Sequence, residues 1–165
     1  MSLVAEPFSF ASLPEALQAR WTAHSRALLD SFGARVGREL TLRGGNAREE
    51  AERLFGAPFV VVSHGPEADP ILNYGNAAAL ALWELSPDEL IATPSRLTAE
   101  AELREAREHV LAETARNGFV AGYAGVRVSK TGRRFRIVDV TIWNVTDADG
   151  RLVGQAATFA HCERL

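Results

Sequence analysis

The last third of the chain constrains its fold most, because it contains three strand-like segments separated only by short turns. The segments cover residues 119–129, 134–146 and 152–160 and are rich in Val, Ile, Phe and Thr. The linking residues 130–132 and 147–150 include Gly and Asp, which tolerate a positive φ. Connections this short join antiparallel neighbours. The sequence therefore predicts an antiparallel meander.

Two more strands and several helices are predicted before the meander. Residues 59–63 and 71–74 are apolar, and they are predicted to form short strands. A helix follows at 77–85, Ser86-Pro87-Asp88-Glu89 is a capping box that begins another, and Thr98 is predicted to cap a longer helix that ends at Gly118. This order predicts an α+β fold, in which helices are inserted between the second and third strands of a five-stranded antiparallel sheet.

An N-terminal helix is predicted from the capping box Ser12-Leu13-Pro14-Glu15 to about Gly33. Its apolar side chains and one histidine fall on one stripe: Leu13, Leu17, Trp21, His24, Leu28 and Phe32. The stripe either packs against the rest of the chain or pairs with a second copy, with Leu17, Trp21 and Leu28 as the dimer interface. Residues 1–45 are assigned to this helix and its connector. Residues 46–165, which begin with the cap Asn46, form the main domain.

Composition excludes several classes of protein. The 165 residues contain 18 Lys and Arg against 21 Asp and Glu, so the basic excess typical of nucleic-acid modules is absent. A single Cys excludes an intramolecular disulfide and a Cys-based zinc site. No secretory signal and no apolar run of about 20 residues is present, so we expect a cytoplasmic protein without a membrane partner.

The order of elements resembles the PAS fold, and several segments resemble the MEKHLA domain, a PAS-like family. The segments that carry the resemblance are 59–65, 73–76, 94–97, 132–137, 143–144 and 154–157. The resemblance extends over most of the chain, from about Leu13 to Cys162. The resemblance implies a sensory or interaction-mediating module, and it does not identify a ligand.

Two cofactors of PAS-like proteins are tested by single residues. In the light-oxygen-voltage branch a Cys forms an adduct with flavin, but Ser95 stands in the comparable place here and cannot do so. Arg96, which follows it, would clamp a phosphate or carboxylate, or else make a structural ion pair. His109 is a poor haem ligand because its helix neighbours are charged. The cofactor is left unknown, and no metal is expected.

Polar residues in the meander complete the predicted site. In a strand without a bulge, Asp139 and Trp143 share one face, where the acid would need an Arg partner or a ligand. Gln155 resembles the strand Gln that contacts flavin in light-oxygen-voltage domains, although its spacing differs by one. The predicted ligand-binding residues are Asn73, Asn76, Arg96, Asp139, Trp143 and Gln155.

Catalytic motifs are missing from the sequence. It contains neither Gly-x-Ser-x-Gly nor a phosphate-binding Gly-rich loop, and Cys162 is expected to be an inert thiol. We therefore expect a non-enzymatic sensory domain that binds a small molecule and signals through a partner protein or as a homodimer. The alternative is a protein–protein interaction or dimerisation module without a ligand. An acid-base enzyme built around Asp139 is a weaker third hypothesis.

Overall fold

The computed structural model describes residues 8–165. Helix α1 spans Glu15–Val36, and α2 spans Ala47–Phe55. The predicted Ser12 cap of α1 is wrong, because the Ser12 hydroxyl donates to the Ser9 carbonyl within a preceding 3-10 turn. The helix also passes Gly33 and ends at Gly37, whose φ is 84°. The predicted Asn46 cap of α2 is confirmed. The Asn46 side chain accepts from the Glu49 backbone N–H, and the Asn46 backbone N–H donates to the Glu49 carboxylate.

The middle of the chain alternates short strands and helices. Strands β1 (Val60–His64) and β2 (Leu72–Gly75) are followed by α3 (Ala77–Trp83) and α4 (Pro87–Leu90). The Ser86 capping box is confirmed. Two 3-10 turns, Ser95–Thr98 and Ala101–Leu103, lead to α5 (Arg104–Asn117). The predicted Thr98 cap is wrong, because its hydroxyl donates to the Ser95 carbonyl and the long helix begins six residues later.

The meander consists of β3 (Phe119–Val128), β4 (Arg134–Thr146) and β5 (Leu152–Phe159), followed by a short β6 (His161–Arg164). The sheet order is β2-β1-β5-β4-β3, and every pair is antiparallel. Strand β6 pairs with the first half of β4, and β5 pairs with the second half. The predicted α+β fold is therefore confirmed. The sequence shows no turn signal between β5 and β6, which is why one strand was predicted there.

Helix α1 covers one face of the sheet. Trp21 and Leu28 are fully buried, and Leu17 is nearly so. The Trp21 indole donates to the Asn73 carbonyl, and the Trp143 indole of β4 donates to Ser31 of α1. Assignment of Leu17, Trp21 and Leu28 to an exposed dimer interface is thus wrong, because the helix packs against its own sheet. Within residues 8–165, no helix combines the length and apolar character needed to span a membrane.

The opposite face of the sheet is covered by α3, α5 and the 3-10 turns. Its core contains Trp83, Val110 and side chains from β4 and β5. Strand β4 supplies Phe135 and Ile137 and then Val140 and Ile142 to this one face, which strict alternation does not allow. The pairing of β4 with β3 slips between these two pairs of residues, so the strand contains a β-bulge.

Asp139 lies in this bulge with a φ of 51°. Its side chain is exposed, so the prediction of an acid on an apolar face is wrong. An Asp tolerates the left-handed conformation better than most residues. Within residues 8–165 it forms none of the salt bridges, and we assign it a backbone role.

Candidate functional site

A cavity of about 60 Å³ lies between the sheet and the helices that cover its second face. This exceeds the roughly 10–15 Å³ that a cavity needs to hold one water. Its wall is formed mainly by β1, the β3–β5 meander, α5 and the turn Ser95–Thr98. Most of its wall is apolar: Val62, Leu72, Leu111, Ile137, Val140, Ile142, Ala157 and Phe159.

Arg107 brings a positive charge to this cavity. It shares the inward stripe of α5 with Val110 and Thr114, at helical spacings of three and four. Only 5% of the residue is exposed, and its guanidinium donates to the Ser95 hydroxyl. Burial, together with the charge of nearby Arg127, lowers the pKa of Arg107 to about 10. The cavity therefore disfavours the charged form, although Arg107 stays protonated at neutral pH.

Arg127 of β3 is a second buried guanidinium in the cavity wall and is 8% exposed. It donates to the carbonyl of its neighbour Val126, and more weakly to the Tyr123 hydroxyl at 3.4 Å. Its guanidinium carbon also lies 5.6 Å from the centre of the Tyr123 ring, within cation–π range. None of the salt bridges within residues 8–165 involves Arg107 or Arg127. Two buried cations thus share a mostly apolar cavity without a paired acid.

Two further polar atoms in the cavity wall have no hydrogen-bond partner within the described chain. They are Nε2 of His64 and the indole nitrogen of Trp83. The other ring nitrogen of His64, Nδ1, lies 3.0 Å from the Gly65 carbonyl and must donate to it. Neutral His64 therefore presents Nε2 as an acceptor. Burial, with Arg107 nearby, lowers the pKa of His64 and favours this neutral form.

Gln155 lies on the cavity wall at the α5 side. Its amide nitrogen donates to the Leu111 carbonyl of α5 and to Oδ1 of Asn144 on β4. The Asn144 amide donates in turn to the Ala115 carbonyl, at 3.4 Å. These bonds tie α5 to the two central strands. Gln155 thus connects the cavity to both the helix and the sheet.

Comparison with known proteins assigns the chain to a family. A profile of the MEKHLA domain matches residues 22–164, which is most of the chain. The chain belongs to the MEKHLA family. No curated protein matches it.

Two solved structures show how the MEKHLA fold relates to others. The PAS domain of a protein from Colwellia psychrerythraea has a TM-score of 0.59 and 14% identity, covering 72% of this chain and 95% of that one. A light-oxygen-voltage domain from a study of a flavin analogue has a TM-score of 0.55 and 16% identity, covering 71% of this chain and 84% of that one. At these identities the similarity is one of fold. This MEKHLA chain therefore has a PAS-like fold.

Among the six predicted ligand residues, only Gln155 reaches the cavity. Arg96 is 44% exposed on its side chain and pairs with Asp69. Asn73 lies outside the cavity and accepts from the Ser63 hydroxyl, which also contacts His24 of α1. Neither Arg96 nor Asn73 lines this cavity, and their role in binding a ligand stays a prediction.

The other three predicted residues have structural roles. Asn76 is fully buried and caps α3, and its amide nitrogen donates to two carbonyls in the α2–β1 segment. Trp143 faces α1, where its ring packs against Phe32 at 4.9 Å. Asp139 is exposed in the bulge. None of the three lines the cavity, and their assignment as ligand residues is corrected accordingly.

The predicted site does not include Arg107, Arg127, His64 or Trp83. The many charged residues of α5 give no direct sign that Arg107 is buried. It nevertheless lies four residues after Leu103 and three before Val110, so the apolar stripe already included its position. The remaining three carry no comparable signal, because only the tertiary fold brings them to one cavity.

The cavity does not fit a flavin. Ligand pockets of drug-sized molecules measure roughly 300–1,000 Å³, and this cavity is about 60 Å³. Ser95, which stands in the place of the flavin-binding Cys, lines the cavity, and its hydroxyl accepts a hydrogen bond from Arg107. His109 is exposed on α5 and so faces away from it. Within residues 8–165, no group of three or more His, Cys, Asp or Glu side chains is placed to hold a metal ion.

Proposed function

We propose that this MEKHLA chain is a non-catalytic sensory module, which binds a small molecule in the cavity and passes its presence to a partner protein. One observation carries the proposal: His64 and Trp83 line the cavity, and each has a buried polar atom that lacks a hydrogen-bond partner within the described chain. Buried polar atoms are costly unless they are paired. A bound molecule with matching groups would supply the missing hydrogen bonds.

The route to a partner runs through the sheet. Asn144 is bonded to Gln155 at the cavity, and its neighbour Trp143 points to the other face, where it bonds Ser31 of α1. A molecule in the cavity that shifts β4 or β5 therefore acts directly on the seat of α1. Any ligand must favour one conformation over another to signal in this way. We propose that the position of α1 is what the partner protein reads.

A cavity-filling variant tests ligand binding. The small molecules released on denaturing the freshly purified protein are analysed by mass spectrometry, and Ala157→Leu is purified alongside. Ala157 lines the cavity from β5, so the larger side chain occupies the ligand's space. We expect one compound enriched in the wild-type extract and lost from the variant. Equal extracts from two folded proteins would contradict the proposal.

The variant needs a control for folding. Ala148→Leu makes the same chemical change in the turn after β4, outside the cavity wall. It should retain the compound, and all three proteins should show cooperative thermal unfolding. Transmission to α1 is tested by the indole NMR signal of Trp143, which should differ between the protein as purified and the protein stripped of the compound.

Dimerisation without a ligand is the alternative function. The surface predicted for it is buried within the chain, since Trp21 and Leu28 are fully covered by the sheet and α2. Light scattering at several protein concentrations tests dimerisation by any other surface. A concentration-independent monomer would remove this alternative.

A further inference from the structure

We propose that the cavity binds a compact organic carboxylate, whose negative charge is held by Arg107 and Arg127. This inference deepens the proposed sensory function and rests on it, since it specifies the class of molecule that the same cavity takes. The residues that carry it are the two arginines, together with Ser95 and Trp83.

The charge of the cavity is the first reason. Two guanidinium groups, each on a residue at least nine-tenths buried, form no ion pair within residues 8–165. Glu108 favours the charged form of Arg107 from the next position, but it is exposed and outside the cavity. Buried charges are normally paired because an isolated one is costly. A single anion between the two arginines would offset this cost.

The unused hydrogen bonds are the second reason. A guanidinium has five N–H donors, and Arg107 forms one hydrogen bond within the described residues, to Ser95. The Trp83 indole adds another unpaired donor. Carboxylate oxygens accept several hydrogen bonds and match the planar fork of an arginine. The donors at the wall thus exceed the acceptors, which is the arrangement an anion requires.

Size and wall chemistry favour a carboxylate over a phosphate. The volume of about 60 Å³ admits only a few non-hydrogen atoms. The wall also includes side chains such as Val140, Ile142 and Phe159, which pack against carbon and offer no hydrogen bonds. A short aliphatic acid places carbon there, whereas a phosphate would leave oxygens unpaired against that wall.

Acetate is the probe, and the Trp83 indole is the reporter. The protein contains three Trp residues, and Trp83→Phe identifies the signal of Trp83 in a ¹⁵N NMR spectrum. The bound compound is first removed. We then expect sodium acetate to shift the Trp83 signal until the shift saturates. Neutral acetamide and equimolar sodium chloride should produce no saturable shift. Acetate should also raise the melting temperature of the wild-type protein, since it binds the folded state.

Charge-neutral variants assign the binding to the cavity. Arg107→Gln should weaken acetate binding at least tenfold. Arg116→Gln removes the same charge from the exposed side of the same helix and should leave the affinity within twofold. If Arg107→Gln does not fold, the wild-type titration against acetamide and chloride still decides the matter. Arg107→Lys, which keeps the charge but loses the fork, should bind with intermediate affinity.

Three results would overturn the inference. The first is an unchanged Trp83 signal in acetate, and the second is acetate binding that persists in Arg107→Gln. The third is saturable binding of inorganic phosphate in preference to acetate. If the compound extracted from the purified protein is neutral, the carboxylate inference fails while the sensory proposal stands. If no compound is enriched and acetate still binds at Arg107, the site exists but the proposed sensory ligand does not.

Discussion

Arg107 places a charge in a cavity whose walls are mostly apolar, and the fold is less stable for it. Burial, more than any other cause, lowers its pKa from the ordinary value of an arginine to about 10. A shift of this size corresponds to about 3 kcal/mol against the charged form. Side chains that lower stability are typical of binding sites, where function and stability conflict.

Replacing Arg107 with an apolar residue should therefore stabilise the ligand-free protein. We expect Arg107→Met to raise the free energy of unfolding by about 1–3 kcal/mol, because an unpaired buried charge is removed and similar volume is kept. Urea denaturation at pH 7 measures the change. The control Arg116→Met, on the exposed side of α5, should alter it by less than about 0.5 kcal/mol. A marked loss of stability in Arg107→Met would show that Arg107 is structural.

His24 makes stability depend on pH. It lies on α1 with Nε2 2.9 Å from the Ser63 hydroxyl, and burial, together with Arg20, lowers its pKa from 6.5 to about 4. The unfolded chain therefore takes up the proton first. The free energy of unfolding is unaffected by the titration of His24 above pH 6.5. It decreases as the pH falls from 6.5 towards 4, by up to about 3 kcal/mol. The lowered pKa of His64 acts in the same direction.

Urea denaturation between pH 7 and pH 4.5 measures this loss. Glu50 contributes below this window, because its folded pKa is about 2 and its unfolded value is near 4.5. His24→Gln keeps a donor for Ser63 and does not titrate, so it should reduce the loss. The control His109→Gln, at an exposed position, should not. A profile unchanged by His24→Gln would assign the acid sensitivity elsewhere.

The predicted and observed sites differ at particular residues for physical reasons. Arg96 and Arg107 are both arginines near the Ser95–Thr98 turn, and periodicity alone could have marked only Arg107 as facing inward. The exposure of Arg96 and its ion pair with Asp69 both depend on how the loop before β2 folds back. Long-range placement of this kind leaves no trace in local spacing.

At the scale of secondary-structure elements, β5 and β1 approach closely at Gly154. This glycine has a φ of 145°, and a Cβ there would lie 1.9 Å from the His64 carbonyl oxygen. Residue 154 pairs with β4 next to a register shift. Only glycine meets both the conformational and the steric demand.

Gly154→Ala should therefore destabilise the protein by at least about 2 kcal/mol. Gly150→Ala is a matched control, since Gly150 also has a positive φ, 80°, but has open space around its Cα. It should cost about 1 kcal/mol, the conformational part alone. Thermal unfolding of the two variants separates the steric contribution. Equal losses would mean that the strands separate at little cost.

The sequence identified elements better than it identified their faces. Capping boxes at Asn46 and Ser86 were confirmed because each needs only two residues three positions apart. The antiparallel meander followed from turn length. The bulge at Asp139 was not predictable from alternation, since Val, Ile and Phe occur on both sides of it and an Asp carries no distinctive bulge signal. The extra residue of the bulge moves every later side chain of β4 to the face opposite the one that strict alternation predicts.

At the scale of the whole molecule, α1 and the sheet share a core. Four apolar side chains of α1 have no exposed surface: Trp21, Leu28, Leu29 and Phe32. Burial of each stabilises the protein by about 1.5–3 kcal/mol. Together they approach the net stability of a whole domain, about 5–15 kcal/mol. Loss of the N-terminal helix would thus remove a burial free energy of the same order as the net stability.

A fragment covering residues 46–165 tests the predicted division of the chain at residue 45. Because it would expose the sheet face that contains Trp143, we expect it to lose cooperative unfolding, measured by near-ultraviolet circular dichroism against urea. Adding a peptide of residues 8–45 should restore the transition. A fragment as stable as the full chain would establish residues 46–165 as an independent domain.

Strand β4 has partners along both of its sides, with β3 on one and with β5 and then β6 on the other. Opening it requires every central hydrogen bond of the sheet to break at once, whereas β2 has a neighbour on one side only. In deuterium exchange, the slowest amides of this protein should therefore lie in β4 and report global unfolding. The amides of β2 should exchange earlier, through local opening of that edge.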